Sequence, residues 1–138
     1  MNILIVDDSK ISVTIIEKHL DSVDYESIQY AENGEDAFNQ YSELIKKNIS
    51  DIVIFMDINM PKMNGIESIK KIRNLEKEKK IDIEKRSKII VVTAYDSESA
   101  EHLSRLVGAN SYLRKPLMNG MLIEALDNLG IKIHSKNN

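Results

Sequence analysis

Three short runs of unbroken apolar residues punctuate the chain: Ile3-Leu4-Ile5-Val6, Ile52-Val53-Ile54-Phe55-Met56 and Ile89-Ile90-Val91-Val92. All are rich in β-branched residues and lack the apolar–polar alternation of a half-exposed strand, so they read as strands covered on both faces. The stretches between them follow the three-four rhythm of helices with one apolar face. Ile11, Ile15, Ile16 and Leu20 mark the first, and Ala37, Phe38, Tyr41, Leu44 and Ile45 the second. Ile66, Ile69, Ile72 and Leu75 mark the third, and Ala100, Leu103, Leu106 and Val107 the fourth. Met118, Met121, Leu122, Ala125, Leu126 and Leu129 mark the fifth. Two weaker strands are predicted at 26–31, bounded by the turn signal Asn33-Gly34, and at 110–114, after the helix terminator Gly108. Both are poorer in apolar residues, as edge strands are. A strand–helix unit repeated five times predicts an α/β fold with a parallel, doubly wound sheet and right-handed crossovers.

Composition narrows the possibilities. The 138 residues suit one domain, taken here as 1–130 with a short polar tail at 131–138. A hydrophobic content of 42% supports a real core. A net charge of −3 and a pI near 5.6 suggest no basic face, so a nucleic-acid partner is not expected. The absence of cysteine removes disulfides, thiolate metal sites and a cysteine nucleophile together. The amino terminus lacks a signal-peptide layout, and no apolar stretch approaches the roughly 18 residues needed to cross a bilayer. A soluble, cytoplasmic protein without a membrane partner is expected. His19, His102 and His134 share no metal-ligand spacing and read as structural or surface residues. The methionines fall in core stripes or near Met60-Pro61, where packing explains them. The charged segment from Leu75 to Lys88 reads as a solvated helix end and loop with weak surface ion pairs.

Chemistry enters at the strand ends. The first apolar run stops at Asp7-Asp8 and the central one at Asp57. The third stops at Thr93, and Tyr112-Leu113-Arg114 stops at Lys115-Pro116. Open α/β sheets bind ligands just outside the carboxyl ends of their strands. An Asp before a helix is an ordinary N-cap, and a lysine ending an edge strand is ordinary surface, so no single residue here specifies a reaction. The combination does. Like charges about 4 Å apart repel by roughly 4 kcal/mol at an effective dielectric near 20, so three carboxylates at one edge need a counter-charge. Oxygen-only ligands favour Mg²⁺ or Ca²⁺, and Mg²⁺ commonly joins a few carboxylates to a phosphate.

Four pieces in order along the chain carry a resemblance: residues 3–9 (ILIVDDS), residues 57–65 (DINMPKMNG), Val92-Thr93-Ala94 and Lys115-Pro116. From about residue 2 to 129 the chain resembles the receiver domain of two-component response regulators, in particular the single-domain chemotaxis type. The resemblance implies a flavodoxin-like sheet of order 2-1-3-4-5 with five helices. It implies Asp57 as phosphoacceptor, attacking a phosphohistidine on a sensor histidine kinase or histidine phosphotransfer protein. Mg²⁺ would be held by the side chains of Asp8 and Asp57 and the backbone carbonyl of Asn59, with Asp7 assisting. Thr93 and Lys115 would each take a phosphoryl oxygen, and Ala94 would leave room for the group. Pro116 would follow a cis peptide. Thr93 and Tyr112 would form a conformational switch read out on helix 96–107, strand 110–114 and helix 118–129. Asn59 and Tyr95 occupy positions that influence phosphoryl lifetime.

The resemblance further implies a monomer or weak dimer that signals to an output protein, with no enzymatic activity beyond its own phosphorylation and dephosphorylation. The link at 74–88 is longer than usual for such domains and lies away from the predicted site. The short tail offers no linker to a DNA-binding effector, and Met1 directly before the first strand is the layout of a complete protein, although an excised receiver of a hybrid kinase has the same motifs. Two other enzyme and cofactor classes fit less well. A haloacid-type phosphatase needs an acid two residues after its nucleophile, where this chain has Asn59. A flavodoxin-like phosphate loop would meet repulsion from Asp7-Asp8. A phosphorylation-independent docking module is the remaining alternative.

Overall fold

A computed structural model describes residues 1–59, 64–95 and 97–133. Met60 to Met63 of the second motif, Asp96 at the start of the predicted fourth helix, and the tail from His134 onward lie outside the described residues. The strands are β1 (Asn2–Val6), β2 (Ser27–Ala31), β3 (Ile52–Met56), β4 (Lys88–Thr93) and β5 (Ser111–Arg114). They alternate with helices α1 (Lys10–His19), α2 (Gly34–Lys46), α3 (Gly65–Glu78), α4 (Glu98–Val107) and α5 (Met121–Asn128). A single 3₁₀ turn, Ile83–Lys85, precedes β4. All neighbouring strands are parallel, in the order β2-β1-β3-β4-β5. This is the predicted order. Among the described residues no helix is long and apolar enough to cross a membrane.

The unbroken apolar runs are explained by the two faces of the sheet. Successive strand residues point to opposite sides. Leu4, Val6, Ile54, Met56, Ile89 and Val91 join the apolar residues of α2 and α3 on one face. Ile3, Ile5, Val53, Phe55, Ile90 and Val92 join those of α1 and α5 on the other. With both faces buried, neither parity of position can be polar.

Two helical stripes depart from expectation. In α1 only Ile16 is buried, and Ile11 is 75% exposed, because the first turns of this helix flank the carboxyl edge of the sheet rather than its face. In α4 the buried residue is Ser104, whose hydroxyl donates to the Ala100 carbonyl, while Leu106 is 73% exposed. The small side chains seat this helix against the sheet, and its leucines turn outward.

The charged segment after Leu75 is only partly the solvated run expected. Glu76 is fully buried. Its Oε2 accepts from the Tyr41 hydroxyl (2.7 Å), the Ser87 amide (2.8 Å) and the Ser87 hydroxyl (3.0 Å), and its Oε1 pairs with Arg73 at 2.7 Å. Arg73 also donates to the Gly108 carbonyl through Nε and Nη2, to Asn110 Oδ1 and to the Ser87 carbonyl. One ion pair thus fastens α3 to α2, to the segment entering β4 and to the turn between α4 and β5. Gly108 adopts φ 123°, and a Cβ there would sit 2.7 Å from Arg73 Cγ. The network was hidden in the sequence because Glu76 looks like one more charge in a charged run.

Removing Arg73 strands a buried carboxylate, so Arg73→Ala is expected to cost about 3–5 kcal/mol in urea unfolding. Tyr41→Phe leaves the two Ser87 donors on Glu76 and is expected to cost about 1–2 kcal/mol. Burial, reinforced by the bond to Glu76, also pushes the Tyr41 phenol well above the ordinary 10.0. A raised folded-state value means that this contribution is intact below pH 10 and is lost as pH climbs beyond it. Stability measured above pH 10 should therefore fall less steeply in Tyr41→Phe than in the wild type.

Candidate functional site

Because the strands are parallel, their carboxyl ends share one edge, and the backbone ladder runs one residue past the strands into the site. The Asp7 amide donates to the Ala31 carbonyl (3.0 Å) and the Asp57 amide to the Val6 carbonyl (2.9 Å). The Lys115 amide donates to the Thr93 carbonyl at 2.8 Å. Val6 is in register with Met56, so the acids that follow them are held side by side.

The helix caps are supplied by other residues. Ser9 caps α1 by accepting from the Ser12 amide, and Asn64 caps α3 by accepting from Glu67. None of the acids is consumed as a cap. Asp7, Asp8 and Asp57 each offer a carboxylate oxygen, and these oxygens lie within 4.8 Å of one another. Asp7 and Asp57 are buried and Asp8 is exposed, so the cluster opens to water on one side. Asp7 Oδ1 accepts from the Ser9 amide (2.9 Å), and Asp57 Oδ1 from the Asn59 amide (3.0 Å). Burial pushes the Asp7 carboxyl above its ordinary value, against the pull of Lys115 and the Ser9 amide.

Lys115 is the cation of the site. Its ammonium reaches Asp7 Oδ2 at 2.8 Å, Asp57 Oδ2 at 3.3 Å and Ser12 Oγ at 2.9 Å. The peptide to Pro116 is cis, as the sequence motif implied. Three carboxylates facing one ammonium leave two negative charges, the charge of one divalent cation. The donors are all hard oxygens, so the cluster can hold Mg²⁺ through Asp8, Asp57 and Asp7. Asn59 stands at the rim, exposed.

Thr93 ends β4 fully buried, with Oγ1 accepting from the Tyr95 amide at 3.2 Å. Tyr112 is buried, and its hydroxyl donates to the Tyr95 carbonyl at 2.6 Å. The two residues read as a switch pair are thus joined through the Tyr95 backbone. Ala94 is exposed beside them and lines a cavity with Lys115.

Sequence reasoning missed three parts. Ser12 was one polar residue among the isoleucines of the first helix, and that contrast was the available signal. Gly65 stood in the second motif with no role assigned; it opens α3 so close to Asp57 that a Cβ would stand 2.5 Å from the Asp57 carbonyl oxygen. The Tyr95 backbone link has no sequence signature.

Known proteins resemble the chain in sequence and in fold. The profile described as "Response regulator receiver domain" matches residues 3–127. The chemotaxis protein CheY1 of Helicobacter pylori is 32% identical over 127 residues, 92% of this chain and 94% of that protein. The osmosensing histidine protein kinase SLN1 of Saccharomyces cerevisiae is 32% identical over 117 residues, where the chain spans 85% of its own length and only 9% of the kinase. Among solved structures, a chain of the CheX–CheY–BeF3–Mg complex from Borrelia burgdorferi superposes with a TM-score of 0.80 at 28% identity, covering 96% of this chain and 90% of that one. The receiver domain of the histidine kinase CKI1 from Arabidopsis thaliana, complexed with Mg²⁺, gives 0.77 at 26% identity over 93% and 90% of the two chains.

Cation binding relieves carboxylate repulsion. At ten times its dissociation constant, Mg²⁺ is expected to stabilise the protein by about 1.4 kcal/mol, raising the melting temperature by roughly 3–6 °C. Asp8→Asn should melt higher than the wild type without Mg²⁺ and lose most of the Mg²⁺ increment; differential scanning calorimetry with and without the ion reads both.

Proposed function

Since the chain belongs to the response regulator receiver family, we propose that it is a phosphorylation-activated switch that takes a phosphoryl group on Asp57. The observation that carries this reading is the position of Lys115, which bridges Asp7 and Asp57 beside a carboxylate cluster open to water. The donor would be a phosphohistidine on a sensor histidine kinase or a histidine phosphotransfer protein. The CKI1 receiver and the SLN1 relative both come from histidine kinases, which supports a donor of that class.

The residues divide the work by position. Asp57 Oδ1 is held by the Asn59 amide, which leaves Oδ2 as the nucleophile. Its lone pair forms the new P–O bond as the P–N bond to the donor imidazole breaks. Phosphoryl transfer is mostly positioning and charge neutralisation. Lys115 already stands at Oδ2 and moves its hydrogen bond to a phosphoryl oxygen as a compact point charge. Asp8, Asp57 and the Asn59 carbonyl, with Asp7 assisting, would hold Mg²⁺, which would supply the remaining neutralisation. Thr93 offers its hydroxyl to another phosphoryl oxygen, and the exposed, small Ala94 leaves the approach open.

Signalling follows from the Thr93–Tyr95–Tyr112 connection. If Thr93 Oγ1 turns to a phosphoryl oxygen, its bond to the Tyr95 amide is exchanged, and the Tyr95 carbonyl that holds Tyr112 moves with it. The ligand selects between two states of the same fold. Leu103, Leu106 and Met118 are exposed on α4 and just before α5, an apolar face fit for an output protein. In this reading the protein takes and releases a phosphoryl group but turns over no metabolite.

Intact mass after incubation with acetyl phosphate and Mg²⁺ tests the proposal. One phosphoryl adduct is expected in the wild type and none in Asp57→Asn or without Mg²⁺. A folded wild type with no adduct, from acetyl phosphate or from a cognate kinase, would leave a phosphorylation-independent docking module. Tyr95 is half exposed beside the site, and in this reading its ring hinders the water that attacks the aspartyl phosphate. Tyr95→Ala should therefore shorten the lifetime of the aspartyl phosphate about severalfold, read as decay of the adduct; equal lifetimes would remove that role.

A further inference from the structure

The Lys115 ammonium has three N–H donors, and all three are used. Two acceptors, Asp7 Oδ2 and Asp57 Oδ2, belong to the acidic cluster; the third, Ser12 Oγ at 2.9 Å, does not. We propose that Ser12 is a positioning residue for Lys115, keeping its ammonium at the site once a cation and a phosphoryl group have claimed the carboxylates. The inference rests on the receiver reading of the site and adds a residue to it.

Competition among the acceptors is the first argument. Asp7 and Asp57 are the oxygens that a divalent cation and an incoming phosphoryl group engage, so both lose their hold on Lys115 as the site fills. Ser12 carries no charge and lies outside the carboxylate cluster. It is the one existing partner of Lys115 that neither group displaces.

The surroundings give the second argument. A cavity of about 280 Å³ beside Lys115 is walled by Ile15, Ile16, Val92, Ala94, Pro116 and Leu117, with Ser12 as the one other polar side chain in its lining among the described residues. Until a phosphoryl oxygen arrives to take it, a lysine released by the carboxylates would meet an apolar wall or swing into water. Water is the better solvent for an ammonium, and its flexible stem makes the swing easy. The Ser12 hydroxyl is the polar point that holds it inside.

Placement of that hydroxyl is the third. The Ser12 amide donates to Ser9 Oγ at 3.3 Å, and the Ser9 amide donates to Asp7 Oδ1 at 2.9 Å. The same turn therefore fixes Ser12 and Asp7 together. A neutral hydroxyl also orients the ammonium without neutralising it, so its full charge stays available to a phosphoryl oxygen. A carboxylate at position 12 would hold Lys115 harder and make it less useful.

The test uses the full chain as wild type, Ser12→Ala and Ser12→Thr. The first readout is ¹³C relaxation at Lys115 Cε with Mg²⁺ as the probe. In the wild type and Ser12→Thr, Lys115 Cε is expected to stay ordered at saturating Mg²⁺; in Ser12→Ala it should become as mobile as an exposed lysine. The second readout is phosphorylation by acetyl phosphate. Ser12→Ala should lower the maximal rate about tenfold with the half-saturating donor concentration unchanged, and Ser12→Thr should restore most of it. Unchanged Lys115 order in Ser12→Ala overturns the inference whatever the rate, and so does a threonine variant as mobile as the alanine one. A wild type that takes no phosphoryl group would sink the receiver reading alone, because the Mg²⁺ relaxation data still decide whether Ser12 positions Lys115.

Discussion

The register between β1 and β3 sets the terms for everything else in this molecule. Val6 pairs with Met56, and the parallel ladder carries on for one more residue, so Asp7 and Asp57 have no freedom to move apart. The fold thereby places buried like charges side by side, an arrangement that works against its own stability. Lys115 offsets part of that cost by reaching across from the end of β5, beyond β4, and the two charges left over suit a divalent cation. The site is thus an electrostatic imbalance held in place by the backbone hydrogen bonds of the sheet.

The opposite end of the sheet shows the contrasting use of charge. There Glu76 and Arg73 are paired and hydrogen-bonded by Tyr41, Ser87, Gly108 and Asn110, with the carboxylate fully buried. Every buried polar atom in the described side chains has a partner. The satisfied network locks the amino-terminal end of the sheet while the carboxyl-terminal edge stays underneutralised. Because Arg73 grips the turn after α4 through the Gly108 carbonyl, that helix is anchored at its carboxyl end. Its amino end lies near Tyr95, where the site is.

The link between the site and the edge strand runs through backbone groups. The Tyr95 carbonyl accepts from the Tyr112 hydroxyl, and the Tyr95 amide donates to Thr93 Oγ1. Thr93 and the aromatic on the edge strand are therefore joined through the backbone of one residue, and that strand packs against α4. The outward leucines of α4 make sense in this light. They are a cost to an isolated domain, and small residues such as Ser104 do the packing in their place.

The sequence by itself determined the fold class, the strand order through its resemblance, and the acidic cluster. These are legible because strand burial and strand-end chemistry are local properties: an unbroken apolar run must be covered on both faces, and an acid that follows it must emerge at the sheet edge. Tertiary structure decided which like-looking residues differ. Glu76 is buried although it sits in a run of charges, since only the approach of Tyr41 and Ser87 makes its burial tolerable. Ile11 is exposed although it lies in an apolar stripe, since the stripe overruns the edge of the sheet. Ser12 and Lys115, 103 residues apart, meet only because β5 ends beside the first turn of α1. Such pairings arise from where the chain returns in space, and nothing in the residue types alone records it.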